Sequence, residues 1–273
     1  MNSLNFESAQ TNIGSLSNDK SHSYDPKKNK NTPIVMKRYE LKYIITKEQA
    51  KYLENAIADY MKMDDYGKTS VMSIYYDTTD YQLIRHSLEK PDFKEKIRLR
   101  SYGLSELGSP VYLELKRKAN DVVYKRRMQT TIKEANDFFN YKIDIKDKSQ
   151  IAKEITYFRN NYGFLVPTCL IIYDRVAYYQ EGSSLRLTID YNPRYRCSNL
   201  CLNDSLEGIP LIGDDKAILE IKIQDAIPLW LSHILDKGNM YKNSFSKYGT
   251  VYEKQMSEEK GRGMGYYVWF NFL

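Results

Sequence analysis

Residues 94–102 (KEKIRLRSY) constrain the fold more than any other stretch of this chain. Read with a period of two, they place Lys94, Lys96, Arg98 and Arg100 on one side and Glu95, Ile97 and Leu99 on the other. Successive side chains of a β-strand go to opposite faces. The stretch therefore predicts a strand with one apolar face and one face carrying a row of cations. Like charges at neighbouring positions repel. Such a row either points into water from the outside of a sheet or lies along something anionic.

The same division recurs. Residues 36–45 set Arg38, Glu40 and Lys42 against Tyr39, Leu41, Tyr43 and Ile45. Residues 111–118 set Tyr112, Glu114, Lys116 and Lys118 against Val111, Leu113 and Leu115. Residues 185–191 set Arg186, Thr188 and Asp190 against three leucine or isoleucine positions, and 217–224 set Glu220, Lys222 and Gln224 against Leu219, Ile221 and Ile223. Further strands are expected over 71–77, 122–131 and 168–179; the facing of 122–131 is ambiguous because Lys125, Arg126 and Arg127 are consecutive. Helices are expected over 47–61, where Thr46 and Gln49 have capping-box spacing, over 82–90, across 132–162, over 228–238, and from Ser244 or Ser246 to about Met256. Residues 192–215 read as a polar loop. Residues 1–33 are expected to be a disordered polar leader, 34–256 one domain, and 257–273 an aromatic tail.

Eight strands with apolar faces need cover, and the expected helices can supply it. A sandwich would turn the charged faces outward. The large apolar faces and the available helices favour the other solution, an α+β fold in which an antiparallel eight-stranded β-barrel lines a bore with its charged faces and helices pack outside. The chain has 273 residues, 42% of them apolar and 25 of them Tyr, enough for a substantial core. Net charge is only +6, so clustering rather than total charge carries the argument. Charges at alternate strand positions, not interleaved with exposed stacking aromatics, argue against nucleic acid. Cys169, Cys197, Cys201 and the three histidines lack metal-site spacing. No apolar run approaches the roughly twenty residues that span a bilayer, and the lack of a signal peptide points to the cytoplasm.

A bore lined with cations suits a multiply charged anion, and Arg and Lys suit phosphate oxygens in particular. The inward carboxylates Glu40, Glu114, Asp190 and Glu220 either hold Mg²⁺ or Mn²⁺ together with phosphate or form internal salt bridges. No Ser/His/Asp or Cys/His arrangement is visible, and phosphoryl transfer needs none.

Taken in chain order, Arg38-x-Glu40-x-Lys42, Tyr76-Asp77-Thr78, Lys96-x-Arg98-x-Arg100, Glu114-Leu115-Lys116-x-Lys118, Tyr173-x-Arg175, Arg186-x-Thr188-x-Asp190, Leu219-Glu220-x-Lys222 and Ser246-Lys247-Tyr248 resemble the VTC (vacuolar transporter chaperone) polyphosphate polymerase domain. That family belongs to the triphosphate tunnel metalloenzymes, which include CYTH-type phosphatases. The resemblance implies a basic tunnel in which the γ-phosphate of ATP passes to a growing polyphosphate chain with Mn²⁺ or Mg²⁺. It implies that Lys42, Arg98, Arg100, Lys116, Arg175, Arg186 and Lys247 hold the reacting phosphates. Arg38, Lys96, Lys118, Arg127 and Lys222 are further substrate-binding candidates, and Glu220, with Glu114 and Glu40, is the candidate metal ligand. The family's polymerases carry a closely spaced lysine pair near the last helix; Lys242 is the candidate companion of Lys247 here. ATP or triphosphate and polyphosphate are the expected partners, with a protein partner left open. A tunnel triphosphatase and a catalytically silent polyphosphate-binding module are the alternative functions.

Overall fold

Alternation of charged and apolar residues does build the strands. A computed structural model describes residues 39–261, apart from 107, 120, 121, 146 and 225, all within the second of two compact units, residues 36–273. Arg38, the leader expected over 1–33 and residues 262–273 of the expected tail lie outside the described residues.

The elements run β1 (Tyr39–Thr46), α1 (Lys47–Ala56), β2 (Lys62–Met63), β3 (Thr69–Thr78), α2 (Gln82–Leu88), β4 (Phe93–Tyr102), β5 (Val111–Ala119) and β6 (Val122–Thr130). They continue with α3 (Ile132–Phe139), α4 (Gln150–Tyr162), β7 (Leu165–Tyr179), β8 (Arg186–Arg196), β9 (Ile209–Pro210), β10 (Lys216–Ile223), α5 (Leu229–Lys237), β11 (Lys242–Asn243) and α6 (Lys247–Gly261). The long strands are those expected, joined by three two-residue strands that sequence alternation is too short to reveal. The capping box at α1 forms: Gln49 N donates to Thr46 Oγ1 at 3.1 Å and Thr46 N to Gln49 Oε1 at 2.8 Å.

Three expectations need correction. The helical stretch across 132–162 is two helices, because α3 ends at Phe139 in a turn and Ser149 caps a new helix, its Oγ accepting from Ala152 N at 3.2 Å. The first helix ends at Ala56 and relaxes into turns rather than reaching residue 61. The supposed polar loop after residue 191 begins as strand: β8 continues to Arg196 and pairs with β9.

The main sheet order is β11-β1-β10-β8-β7-β3-β4-β5-β6, with β2 added on β7 and β9 on β8, every pairing antiparallel. The barrel is not closed by hydrogen bonds among the described residues: β6 is one end of the path and β11 the other. The sheet nevertheless curls. β1 and β5 are six steps apart in the order, about 29 Å if flat at 4.8 Å per step. Yet Lys116 Nζ on β5 donates to Glu40 Oε2 on β1 at 2.8 Å and to Oε1 at 3.0 Å.

The convex side carries two apolar cores. Under α1 and α5, Leu53, Ile57, Leu231 and Leu235 bury against Ile45, Leu187, Leu219 and Ile221. Under α3 and α4, Phe138, Phe139, Ile155 and Phe158 bury against Ile97, Leu99, Leu113 and Leu115. Each such side chain contributes roughly 1.5–3 kcal/mol on leaving water. Helix α6 departs from the expectation that helices pack outside. Its Tyr248 and Val251 bury against Val71, Tyr75, Ile171 and Tyr173, which share the strand face of Arg98, Arg100 and Arg175. Asp77 anchors it: this buried carboxylate accepts from Leu83 N and Ile84 N at the start of α2, and from the Tyr248 hydroxyl at 2.8 Å.

Candidate active site

Strand register decides which charges share the concave face. Opposed residues of antiparallel neighbours point the same way. Lys96 faces Lys116, and Arg98 faces Glu114, across β4 and β5; Lys116 faces Lys125, and Glu114 faces Arg127, across β5 and β6. On the other half, Lys42 faces Glu220, Glu220 faces Thr188, and Arg175 faces Asp190. The start of α6 lies across this face, since Lys42 Nζ donates to Phe245 O and Lys96 Nζ to Ser246 Oγ, both at 3.0 Å.

The cations gather in two nests, each closed on one buried carboxylate. In the first, Glu114 is 1% exposed. Arg98 meets its Oε2 through Nε at 2.9 Å and Nη2 at 2.7 Å, and Arg100 Nη1 lies 3.6 Å from the same oxygen. Lys125 Nζ at 2.9 Å and Arg127 Nε at 3.6 Å approach Oε1. Burial would raise the Glu114 carboxyl, but Arg98, Arg100 and Lys125 overcome that and hold it well below the usual range. Tyrosine and serine hydroxyls complete the frame: Arg98 Nη1 donates to Tyr75 at 2.9 Å, Arg100 Nη2 to Tyr173 at 3.0 Å and Arg100 Nε to Ser73 at 3.1 Å.

In the second nest, Asp190 accepts from Arg175 Nε at 2.6 Å, Arg175 Nη2 at 2.9 Å and Lys247 Nζ at 2.6 Å. Burial opposes its ionisation, but Arg175 and Lys247 bring it down to about 2. Glu220 lies beside this nest with looser partners, Lys222 Nζ at 3.2 Å and Arg175 Nη2 at 3.9 Å. Between the nests, Lys96 is pushed down to about 7, first by burial and then by Lys42, Lys116, Lys94 and Arg98. Burial, aided by Lys247 and Lys116 against Glu220, also lowers Lys42.

The concave face thus brings together Glu40, Lys42, Lys96, Arg98, Arg100, Glu114, Lys116, Arg127, Arg175, Glu220, Lys222 and Lys247 of the residues singled out in the sequence. Lys118 faces Lys94 further along β4 and β5. Arg186 is exposed, on the same face opposite Lys222, with its guanidinium 4.9 Å from the Tyr179 ring centre. Arg38 is not among the described residues. Lys242 is a correction: it faces Tyr43, whose ring belongs to the convex core, so its strand position is on the opposite face from Lys42. Tyr173 and Ser246 stand in the motifs quoted from the sequence but were given no role there, and Lys125 and Tyr75 were not singled out. Lys125 had a signal, since it stands two residues from Arg127, but the intervening Arg126 concealed the alternation.

The carboxylates differ in what they can hold. Among the described residues no group of three or more His, Cys, Asp and Glu side chains gathers into a metal cluster. Mg²⁺ and Mn²⁺ beside a phosphate chain need only one or two carboxylates, the phosphates and water filling the remaining positions. Glu220 has its ion pairs at 3.2 and 3.9 Å, and Lys222, Lys42, Lys247 and Arg175 overcome burial to hold its carboxyl ionised; it fits that donor set, and Glu40 stands one diagonal step away. Glu114 fits poorly, because Arg98 meets one of its oxygens at 2.7 and 2.9 Å and Lys125 meets the other at 2.9 Å; its role is that of counter-ion.

The sequence matches the VTC domain over residues 37–255. This chain belongs to the VTC domain family. No curated protein matches it. Among solved structures, a candidate adenylyl cyclase from Hippeastrum, described as having a dominant triphosphatase activity, is 15% identical, with a TM-score of 0.46, covering 79% of this chain and 95% of its own. A candidate adenylate cyclase from Bacillus halodurans is 14% identical (TM-score 0.42; 86% of this chain, 96% of its own), and one from Vibrio parahaemolyticus 9% (TM-score 0.43; 78% and 97%). These likenesses are distant. No helix among the described residues is long and apolar enough to cross a membrane.

Proposed function

We propose that this VTC domain is a polyphosphate polymerase that transfers the γ-phosphate of ATP to the end of a polyphosphate chain. One observation carries the proposal: the concave face is over-supplied with cations, so that Glu114 alone answers four of them. Burying such an excess is unfavourable unless an anion of high charge density answers it. A phosphate chain supplies one charged group after another along such a row.

In this reading Arg98, Arg100, Lys116 and Lys42 hold one stretch of phosphates and Arg175, Lys247 and Arg186 the other. Lys96, Lys118, Arg127 and Lys222 extend the contacts, and Arg38 is a further candidate. A terminal oxygen of the chain forms a bond to the γ-phosphorus while the bond to the β,γ-bridging oxygen breaks and ADP leaves. The attacking oxygen is already ionised at neutral pH, which accounts for a site without a Ser/His/Asp triad. The cations act by position and by neutralising charge as it shifts between oxygens. A divalent ion at Glu220, Mn²⁺ or Mg²⁺, would supply further neutralisation at the phosphate oxygens.

The test is incubation of the purified chain with ATP and Mn²⁺, the products sized on a gel. Long-chain phosphate with matching ADP is the expected result. Orthophosphate alone would replace the polymerase with a tunnel triphosphatase, and tight polyphosphate binding with no turnover would leave a binding module.

A further inference from the structure

One end of the first nest is aromatic. Tyr112 faces Arg100 across β4 and β5, and Tyr102 stands two residues beyond Arg100 on the same face of β4. The two rings meet edge to face, with centroids 5.8 Å apart at 71°. Arg127 is held between them, its guanidinium carbon 3.7 Å from the Tyr112 centroid and 5.3 Å from that of Tyr102. Its Nε is buried without a hydrogen-bond partner and lies 3.6 Å from Glu114 Oε1. Arg127 is therefore tied to Tyr112 and to the nest. Tyr102 is left 48% exposed, an open ring at the border of a phosphate-binding surface.

A flat ring beside a row of cations fits a molecule with a flat base at one end and a chain of phosphates at the other. Arg98 and Tyr102 are four residues apart on one strand, about 13 Å at 3.3 Å per residue. That leaves room for a triphosphate between the deeper cation and the ring. We propose that Tyr102, backed by the Arg127–Tyr112 stack, seats the nucleobase of a nucleoside triphosphate whose phosphates lie on the cations around Glu114. The inference rests on the reading of this face as a nucleotide-using phosphate site, and it adds which end of the face the nucleoside occupies. Stacking on a ring accepts any base, because every base has a π-face.

The experiment compares equilibrium binding of ATP and of inorganic tripolyphosphate to the full chain, with EDTA present so that nothing turns over. Tyr102→Ala should weaken ATP about tenfold, within the usual range for a stacked base, and leave tripolyphosphate unchanged. Tyr102→Phe keeps the ring and should bind ATP as the wild type does, which guards against a misfolded alanine variant. Equal losses for both ligands would make Tyr102 a prop for the cations and overturn the proposal, as would no loss for either. A wild type that binds tripolyphosphate but not ATP would overturn this seat alone. A wild type that binds neither would remove the parent reading, and the seat with it.

Discussion

Strands β4, β5 and β6 carry an ion network on each face, and the two differ in balance. On the convex face Arg117 pairs with Glu95 and reaches Glu154 at 3.3 Å, Arg126 donates to Glu154 at 2.8 Å, and the Tyr162 hydroxyl donates to Glu95 at 2.9 Å. Two arginines meet two glutamates, beneath α4. On the concave face four cations converge on Glu114 alone. The backbone, the residue types and the strands are shared; only the arithmetic of charge differs. A balanced network is complete as it stands and serves to attach a helix. An unbalanced one is complete only with something anionic added. The imbalance, rather than the number of ion pairs, separates a site from a scaffold here.

The largest test of this contrast is on stability. Glu114→Gln leaves buried Arg100 and partly buried Arg98 without their carboxylate and should cost about 3–5 kcal/mol in urea unfolding. Glu154→Gln should cost no more than about 2 kcal/mol, since Glu95 still answers Arg117. Equal losses would show that the two networks are energetically alike. Binding comes next. Arg98→Ala should weaken tripolyphosphate by roughly 1.5–3 kcal/mol, which is about 10- to 150-fold, whereas Arg126→Ala on the convex face should leave the titration unmoved. A convex mutant that binds as poorly as the concave one would erase the distinction.

A smaller effect concerns protons. Free Lys96 is pushed down to about 7, so at pH 8 it is mostly neutral. An anion beside it raises its affinity for a proton, so the complex holds more protons than its parts, and affinity falls as pH rises above 7. Calorimetry of tripolyphosphate binding at pH 8 in two buffers of different ionisation enthalpy should show uptake of up to about one proton. Lys96→Met should abolish it; heats identical in both buffers for the wild type would contradict the assignment. Smallest of all, Lys242→Ala should leave tripolyphosphate affinity unchanged, because its strand position faces away from the bore.

What the sequence revealed depended on whether neighbours in space were also neighbours in pattern. In β4 every second residue is cationic, so the face was legible before any coordinates. In β6 the run Lys125-Arg126-Arg127 hides two opposite destinations: Lys125 and Arg127 turn to Glu114 while Arg126 turns to Glu154. Only the register with β5 separates them. Glu114 and Glu220 look alike as inward acids; the first is answered by the flanking strands β4 and β6, and the second by Arg175, Lys42 and Lys247, all distant in sequence. The position of α6 was also hidden, since Lys247 and Tyr248 are adjacent and a helix's own pattern does not say which side of a sheet it covers. Closure of the barrel belongs to the same class, because it is settled by whether two edges meet.

The end strands β6 and β11 do not join by a hydrogen-bond ladder among the described residues, and one step in from each, β5 and β1 meet through the ion pair of Lys116 and Glu40. At that point the curl is held by side chains and not by a ladder. An ion pair open to water is worth about 0–1 kcal/mol and is screened by salt, so such a seam parts far more readily than paired strands do.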